Sequence, residues 1–281
     1  MRPEPVSQFS KMDASQKELE VLADFIRRTF GVELSASKRS RLAERLQVKV
    51  AKAGLGSLSA YVEQVSARAN ADELAEIAEV VTTNVTSFFR EGHHFDALKT
   101  QVVPRLRKKV EQGHAVRIWS AGCSMGHEPY SIAMTLFSAW PQIFENDVKI
   151  LATDIDRKAL GVGKQGKYDA EAVSSVPAEY RSFFTHGDAG YAVDPKLRKA
   201  ITFRELNLLA AWPFSRQFDV IFCRNVAIYF GSELQEEIWA RFRSSLTDDG
   251  YLFIGHSERV PNYQDIGLAP FGTTSYRVQS A

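Results

Sequence analysis

Residues 117–131 run R-I-W-S-A-G-C-S-M-G-H-E-P-Y-S, and their order decides the fold. Val116 to Ala121 is an apolar run of strand length. A loop with Gly122 and Gly126 follows, and Pro129 stands near the first turn of a helix that runs to Trp140. Strand, glycine loop and helix N-terminus in succession make a ligand cradle. Glycines let the backbone come close, and the helix end offers unpaired N–H groups and partial positive charge. The spacing is neither the dinucleotide fingerprint G-x-G-x-x-G nor the phosphate loop G-x-x-x-x-G-K-[ST]. No lysine follows Gly126, and Glu128 would repel a pyrophosphate. The loop suits a neutral or cationic ligand, and a sulfonium-bearing adenosine meets that description. An ordinary tight strand–helix turn would give the same local pattern.

Three further short apolar runs lie C-terminal to this one: Val148 to Thr153, Phe218 to Cys223 and Tyr251 to Gly255, with Tyr276 to Val278 as a possible edge strand. Helix-length segments separate them, which predicts a parallel α/β sheet with crossover helices. The second run ends L-A-T-D-I-D. Asp154, at its tip, can accept ribose hydroxyls, and Asp156 is placed as the N-cap of the next helix. The third run turns abruptly polar at Arg224 and Asn225, and Asn225 is set for the crevice beyond the strand ends, or for a plain turn. Residues 168–202, with Gly187, Gly190, Pro177 and Pro195, fit neither pattern and read as an insertion.

N-terminal to the strands, residues 14 to about 112 read as helical. Helices are expected around Leu19–Ile26 with Gly31 as stop, from Ala36 to Ala53, from Leu58 to Arg68, from near Asp72, and from Phe95 to Lys109 with Pro104 as a potential kink.

Six motifs in order resemble the CheR family, the chemotaxis receptor methyltransferases. They are T-T-N-V-T-S-F-F-R-E (82–91), W-S-A-G-C-S-M-G-H-E-P-Y-S (119–131), A-T-D-I-D (152–156), N-L-L (207–209), F-C-R-N-V-A-I-Y-F (222–230) and G-H-S-E (255–258). The family's loop commonly reads S-T-G-E-E-P-Y-S; here Met125 and His127 differ, and Glu128 keeps the second glutamate. The resemblance implies an α/β protein: a Rossmann-like class I methyltransferase domain, an all-α N-terminal domain and a small inserted antiparallel β-subdomain. The expected domains are 1–95 and 96–281, with the subdomain at about 168–202. It implies S-adenosylmethionine as cofactor, with S-adenosylhomocysteine as product. Asn84, Thr86 and Arg90 would come from the helical domain and close over the methionine end. Glu128 would pair with the amino group, Asp154 would hold the ribose, Asn207 and Leu208 would flank the adenine, and Gly122, Asn225 and Val226 would line the pocket.

The implied reaction transfers a methyl group to glutamate side chains of chemotaxis receptors. A carboxylate is ionised at neutral pH and needs no general base, in agreement with the absence of a compelling nucleophile–histidine arrangement. Alignment of acceptor and methyl is the remaining work. Arg90 is the first candidate for steering carboxylates, through its planar fork. Tyr229 is the second by the resemblance; its neighbours Ile228 and Phe230 alone would suggest a core aromatic. Phe88 and Phe89 are expected to pack and keep the site dry, and His256 to be structural. Adjacent His93 and His94 would point about 100° apart on a regular helix, so no metal site is expected.

Between Arg27 and Lys52 stand eight Lys/Arg against Glu33 and Glu44. Lys38, Arg41, Arg45, Lys49 and Lys52 recur every three or four residues and share a helix face. A solvated charged face is the ordinary reading; a docking stripe for Glu-rich cytoplasmic receptor helices is the reading the resemblance favours. The segment Gly187 to Lys199 is short for docking a receptor C-terminal peptide. The whole chain has 281 residues, 44% hydrophobic and 25% charged, with net charge +1. No aromatic-interleaved basic platform marks nucleic-acid binding, and no apolar stretch approaches the ~20 residues that span a bilayer. Two isolated cysteines, Cys123 and Cys223, fit reduced packing thiols and a cytoplasmic location. A monomer is expected. A methyltransferase of small molecules or RNA, and an inactive cofactor-sensing module, are the competing readings.

Overall fold

The computed structural model describes residues 14–68, 71–81, 85–187 and 190–279, and its chain divides into two units, 1–81 and 82–281. Among the described residues the first unit holds four helices: α1 (Gln16–Phe30), α2 (Ala36–Lys52), α3 (Leu58–Arg68) and α4 (Ala71–Val81). Ser15 and Glu18 form a capping box at the start of α1, and Gly31 closes it in the left-handed conformation at φ 71°. Glu18 also accepts the Leu58 N–H at 3.0 Å, so one carboxylate serves the starts of both α1 and α3. Leu22, Phe25 and Ile26 of α1, Leu42 and Leu46 of α2 and Leu58 and Val65 of α3 form this unit's buried core.

The second unit begins with α5 (His93–Ala97), a π-helical turn (Leu98–Val102) and α6 (Val103–Glu111). The single helix expected from Phe95 to Lys109 is thus interrupted. Pro104 has no N–H to donate, and its ring crowds the carbonyl four residues earlier. Widening the preceding turn, with the Val103 N–H reaching back to the Leu98 carbonyl, relieves both. Then follow β1 (Val116–Ala121), α7 (His127–Ala139), β2 (Val148–Asp154), α8 (Arg157–Gln165), β3 (Lys167–Tyr168), α9 (Ala170–Ser174), β4 (Phe184–Gly187), β5 (Gly190–Val193), α10 (Pro195–Ala200) and β6 (Ile201–Glu205). The chain ends with β7 (Phe218–Cys223), α11 (Ser232–Ser245), β8 (Leu246–Ile254), β9 (Leu268–Gly272) and β10 (Ser275–Val278).

Seven strands form one sheet in the order β6-β2-β1-β7-β8-β10-β9. The β6, β2, β1, β7 and β8 neighbours pair in parallel, and β10 and β9 close the far edge antiparallel. Successive residues face opposite sides, as the pleat demands. Val116 and Ile118 of β1, Val220 and Phe222 of β7 and Tyr251 and Phe253 of β8 enter one core. Trp119 and Ala121, Ile221 and Cys223, and Leu252 and Ile254 enter the other. Both faces are covered, which is why these strands read as unbroken apolar runs. Cys123 and Cys223 are free and buried.

The insertion is a three-stranded antiparallel sheet ordered β3-β5-β4. Ile201 and Thr202, the end of the insertion expected at 168–202, instead open β6, which pairs parallel with β2 from Ile150↔Ile201 to Asp154↔Glu205. The order reverses at β1, whose neighbours are β2 and β7. That switch point opens a crevice beyond the carboxyl ends of these strands.

Candidate functional site

The expected site residues come together there. Gly122 follows β1, Asp154 ends β2, Asn207 and Leu208 follow β6, and Asn225 and Val226 follow β7. Gly122 sits at φ 73°, and a Cβ built on it would lie 2.3 Å from Val226 Cγ2, so the two loops meet where glycine is required. The Gly122 and Cys123 N–H groups both donate to the Thr153 carbonyl, at 2.8 and 2.9 Å, tying the loop to the end of β2.

Asp154 is 9% exposed. Its Oδ2 accepts the Ser124 N–H at 2.7 Å and its Oδ1 the Asp156 N–H at 2.9 Å, so it holds the glycine loop as well as facing the crevice; each oxygen keeps a second lone pair. Burial pushes its carboxyl upward against the N–H groups of Asp156, Ser124 and Ile155. Asp156 caps α8 by accepting the Ala159 N–H at 2.9 Å. Asn207 Oδ1 accepts the Leu209 N–H at 2.9 Å, fixing the turn after β6, and Leu208 is buried.

Glu128, in the first turn of α7, accepts from Ser120 Oγ at 2.7 Å and from Arg224 Nη1 at 3.3 Å. Arg224 is 7% exposed and is the centre of the site. It also lies 3.3 Å from Glu91 Oε2, donates to the Arg90 carbonyl and packs over the Phe95 ring at 5.6 Å. Glu91 in turn accepts from His256 Nδ1 at 2.9 Å and from Asn225 Nδ2 at 3.4 Å. Burial works against a charge on Glu91, but Arg224 and the His256 hydrogen bond outweigh it and hold its pKa at about 2. Burial pushes Glu128 upward, against the pull of Arg224. Two carboxylates thus share one guanidinium, in a place costly for charge.

Thr86 is half-buried, and Arg90 donates from Nη1 to the Val85 carbonyl at 2.9 Å. Both lie in the second unit, which starts at Thr82, and not in the helical one that ends at Val81. The boundary expected at 95 therefore moves forward, because this loop is fastened to the sheet unit. The Phe89 N–H donates to Ser131 Oγ at 2.9 Å, and Phe88 is 2% exposed against His127, Tyr168 and Phe184. Asn84 lies outside the described residues.

The sequence reading missed three contributors. In the sequence Arg224 marks only a change of polarity. Glu91 closed a motif without a role, and so did Glu258. Glu258, 2% exposed, gathers the N–H groups of Gly255 at 2.5 Å, Asn225 at 3.0 Å, Val226 at 2.9 Å and Ile228 at 3.3 Å. It sets the turn that carries Asn225, at φ 60°, and the 3₁₀ turn Ala227–Tyr229. Tyr229 is half-buried there and packs against the second core, beside the exposed Ile228. His256 is more than a spectator, since both its ring and its N–H reach Glu91. The expectation of no shared ion at His93 and His94 meets a different geometry: possible ligand atoms of Glu91, His93 and His94 lie within 4.8 Å of one another.

The two departures from the family's loop face the inserted sheet. The Met125 carbonyl accepts from Tyr168 Oη at 2.7 Å. His127 is 5% exposed, between the Phe88 and Tyr168 rings at 4.6 and 4.8 Å, and its Nδ1 has no hydrogen-bond partner. Burial lowers its pKa to about 4, against a weak pull from Asp169. An unfolded chain binds this proton below about pH 6.5 and the folded one only below about 4. Stability should therefore fall as pH drops between those values. His127→Leu is expected to flatten that loss, seen as a smaller drop in Tm between pH 7 and pH 4.5. An unchanged drop would mean that His127 carries none of it.

In the first unit, Lys38, Arg41, Arg45 and Lys49 all lie on α2. Lys49 pairs with Glu76, and Arg45 donates to the Val80 carbonyl at 3.0 Å, so these two are engaged with α4. Lys38 and Arg41 are exposed.

The donor set fits S-adenosylmethionine. Gly122 lets the β1 and β7 loops meet closely, Asp154 and Asn207 stand on adjacent strand ends, and the Glu128 carboxylate suits an ammonium or sulfonium group. Comparison with known proteins agrees. Residues 17–82 match the family described as "CheR methyltransferase, all-alpha domain", and residues 84–274 match "CheR methyltransferase, SAM binding domain". A probable chemotaxis protein methyltransferase of Rhizobium etli is 44% identical over 252 residues, covering 88% of this chain and 94% of that protein. The chemotaxis protein methyltransferase of Borreliella burgdorferi is 36% identical, covering 89% and 90%, and chemotaxis protein methyltransferase 1 of Pseudomonas aeruginosa is 35% identical, covering 90% and 94%. A helical unit followed by an α/β unit with a charged crevice at its switch point, matched by both halves of one family, makes this chain a member of the CheR methyltransferases, S-adenosylmethionine-dependent enzymes.

Proposed function

We propose that the chain methylates glutamate side chains on Glu-rich cytoplasmic helices of chemotaxis receptors, as a cytoplasmic monomer. The observation that carries this reading is the buried Glu91–Arg224–Glu128 group, which sets the Glu128 carboxylate at the crevice, where it favours a cationic methyl donor. When bound, S-adenosylmethionine supplies an electrophilic methyl on sulfur. Asn84, Thr86, Arg90, Gly122, Glu128, Asp154, Asn207, Leu208, Asn225 and Val226 would hold it. The acceptor carboxylate, already ionised, forms the new C–O bond as the C–S bond breaks, and no proton has to move. Arg90 orients carboxylates, and Tyr229 sits on the turn that Glu258 fixes beside them. Among the described residues no helix is long and apolar enough to cross a membrane, and both cysteines are free, consistent with a reducing compartment.

Incubation with methyl-labelled cofactor and receptor cytoplasmic fragments, followed by peptide mapping, should place base-labile label on glutamate. Label on RNA or small molecules instead, or cofactor binding without turnover, would overturn the reading. In the same assay Arg41→Glu should raise KM for receptor about tenfold, because a charge stripe acts on association and selectivity. The Kd for S-adenosylhomocysteine should stay unchanged. Equal loss of both would remove α2 from substrate docking.

A further inference from the structure

We infer that Glu91, His93 and His94 form a site for one zinc-class divalent cation beside the methyl-transfer crevice. His94 carries the case. Its side chain is fully buried, and its Nε2 lies 3.1 Å from the Thr273 carbonyl and 3.0 Å from Thr274 Oγ1. The carbonyl accepts only, so Nε2 bears the hydrogen and Nδ1 presents a bare lone pair. That Nδ1 is sealed from solvent and has no hydrogen-bond partner. Facing it at 3.6 Å is Glu91 Oε2, also buried, whose charged neighbour is Arg224 at 3.3 Å. Arg224 offsets the carboxylate charge but leaves the buried Nδ1 lone pair of His94 unmatched, and a cation between Nδ1 and Oε2 would match it.

His93 completes the set. It is exposed, its ring centroid lies 4.1 Å from that of His94, and ligand atoms of all three residues fall within 4.8 Å. The turn escapes the divergence of neighbouring positions on a regular helix because Glu91 is left-handed, at φ 57°, and His93 opens α5. Tetrahedral zinc with bonds of about 2.0–2.1 Å sets its ligand atoms roughly 3.3 Å apart, within reach of small side-chain rotations. Two imidazoles and one carboxylate suit zinc over magnesium or calcium, which take oxygen, and leave a fourth position for water. A cavity of about 260 Å³, lined by His93, His94, Asp96, Thr100 and Thr273, adjoins the histidines and gives solvent access. The outer partners are those that metal ligands require. The Thr273 carbonyl orients His94, while Arg224 and His256 hold Glu91.

The test uses tag-free, chelator-treated protein. Calorimetric titration with zinc chloride should give one site per chain. Cobalt(II) at the same site should give the intense visible bands of a four-coordinate ion. His93→Ala, a change at an exposed position that leaves the fold intact, should weaken zinc at least about tenfold, since an inner ligand counts for no less than the outer partners whose loss costs that much. His114→Ala should leave affinity unchanged. Absence of a one-to-one site in wild type, octahedral cobalt bands, or His93→Ala binding with wild-type affinity would each overturn the inference.

Discussion

Arg224→Met is expected to lower Tm by about 10 °C and to weaken S-adenosylhomocysteine binding at least 100-fold. Arg224 stands 3.3 Å from a carboxylate oxygen on either side and donates to the Arg90 carbonyl as well. Methionine fills much of its volume but leaves Glu91 and Glu128 facing each other with no cation between them. Breaking a buried pair in this way costs about 3–5 kcal/mol, and a unit of this size loses roughly 2–4 °C per kcal/mol. Arg224 also connects the Arg90 loop to the start of α7, so its loss frees the elements that line the crevice. Arg224→Lys should fall between the two, since one ammonium cannot serve both carboxylates and the carbonyl in fork geometry. Adding Glu91→Gln to Arg224→Met removes one stranded charge, and the double variant should melt above the single one. Calorimetry and thermal melts measure both effects. Arg224→Met binding the product within threefold of wild type would remove Arg224 from the site.

The strand-end residues were legible for a physical reason. A parallel sheet covered on both faces demands unbroken apolar runs, and the first polar residue after each run marks its carboxyl end. Asp154 and the Arg224–Asn225 pair stand at such ends, Gly122 opens the loop after the first run, and the family motifs agree. What joins those ends was not legible. Arg224 pairs with Glu128 across 96 residues and with the Arg90 carbonyl across 134, and one sequence carries no sign of which charges meet. Glu258 is similar: a glutamate in G-H-S-E reads as exposed until four N–H groups are seen to converge on it. The strand β6 was hidden by brevity. I-T-F-R-E buries only Ile201 and Phe203 in alternation, at the sheet edge, and follows α10 with no glycine or proline between them. The domain boundary slid for the opposite reason. The expected helix from Phe95 looked like the start of a domain, whereas the preceding loop already belongs to it through Phe88, Phe89 and Glu91.

Gly122→Ala is expected to raise the Kd for S-adenosylhomocysteine about 50-fold while leaving the melting transition cooperative. Two costs combine. At φ 73° an alanine occupies the left-handed region, worth about 1–2 kcal/mol. Its Cβ would also stand 2.3 Å from Val226 Cγ2, and a β-branched side chain has little freedom to turn aside. The strain cannot spread toward β2, because the Gly122 and Cys123 N–H groups are both bound to the Thr153 carbonyl. Nor can it spread along the Val226 turn, which Glu258 grips through the N–H groups of Asn225, Val226 and Ile228. The loops must part, and they part at the crevice. Val226→Ala removes the clashing methyl but not the left-handed backbone. The double variant Gly122→Ala/Val226→Ala should therefore recover part of the affinity, and the size of the recovery separates overlap from backbone strain. A double variant no better than Gly122→Ala would assign the whole effect to φ. A single variant that binds as wild type would show that the Gly122–Val226 junction plays no part in holding the cofactor.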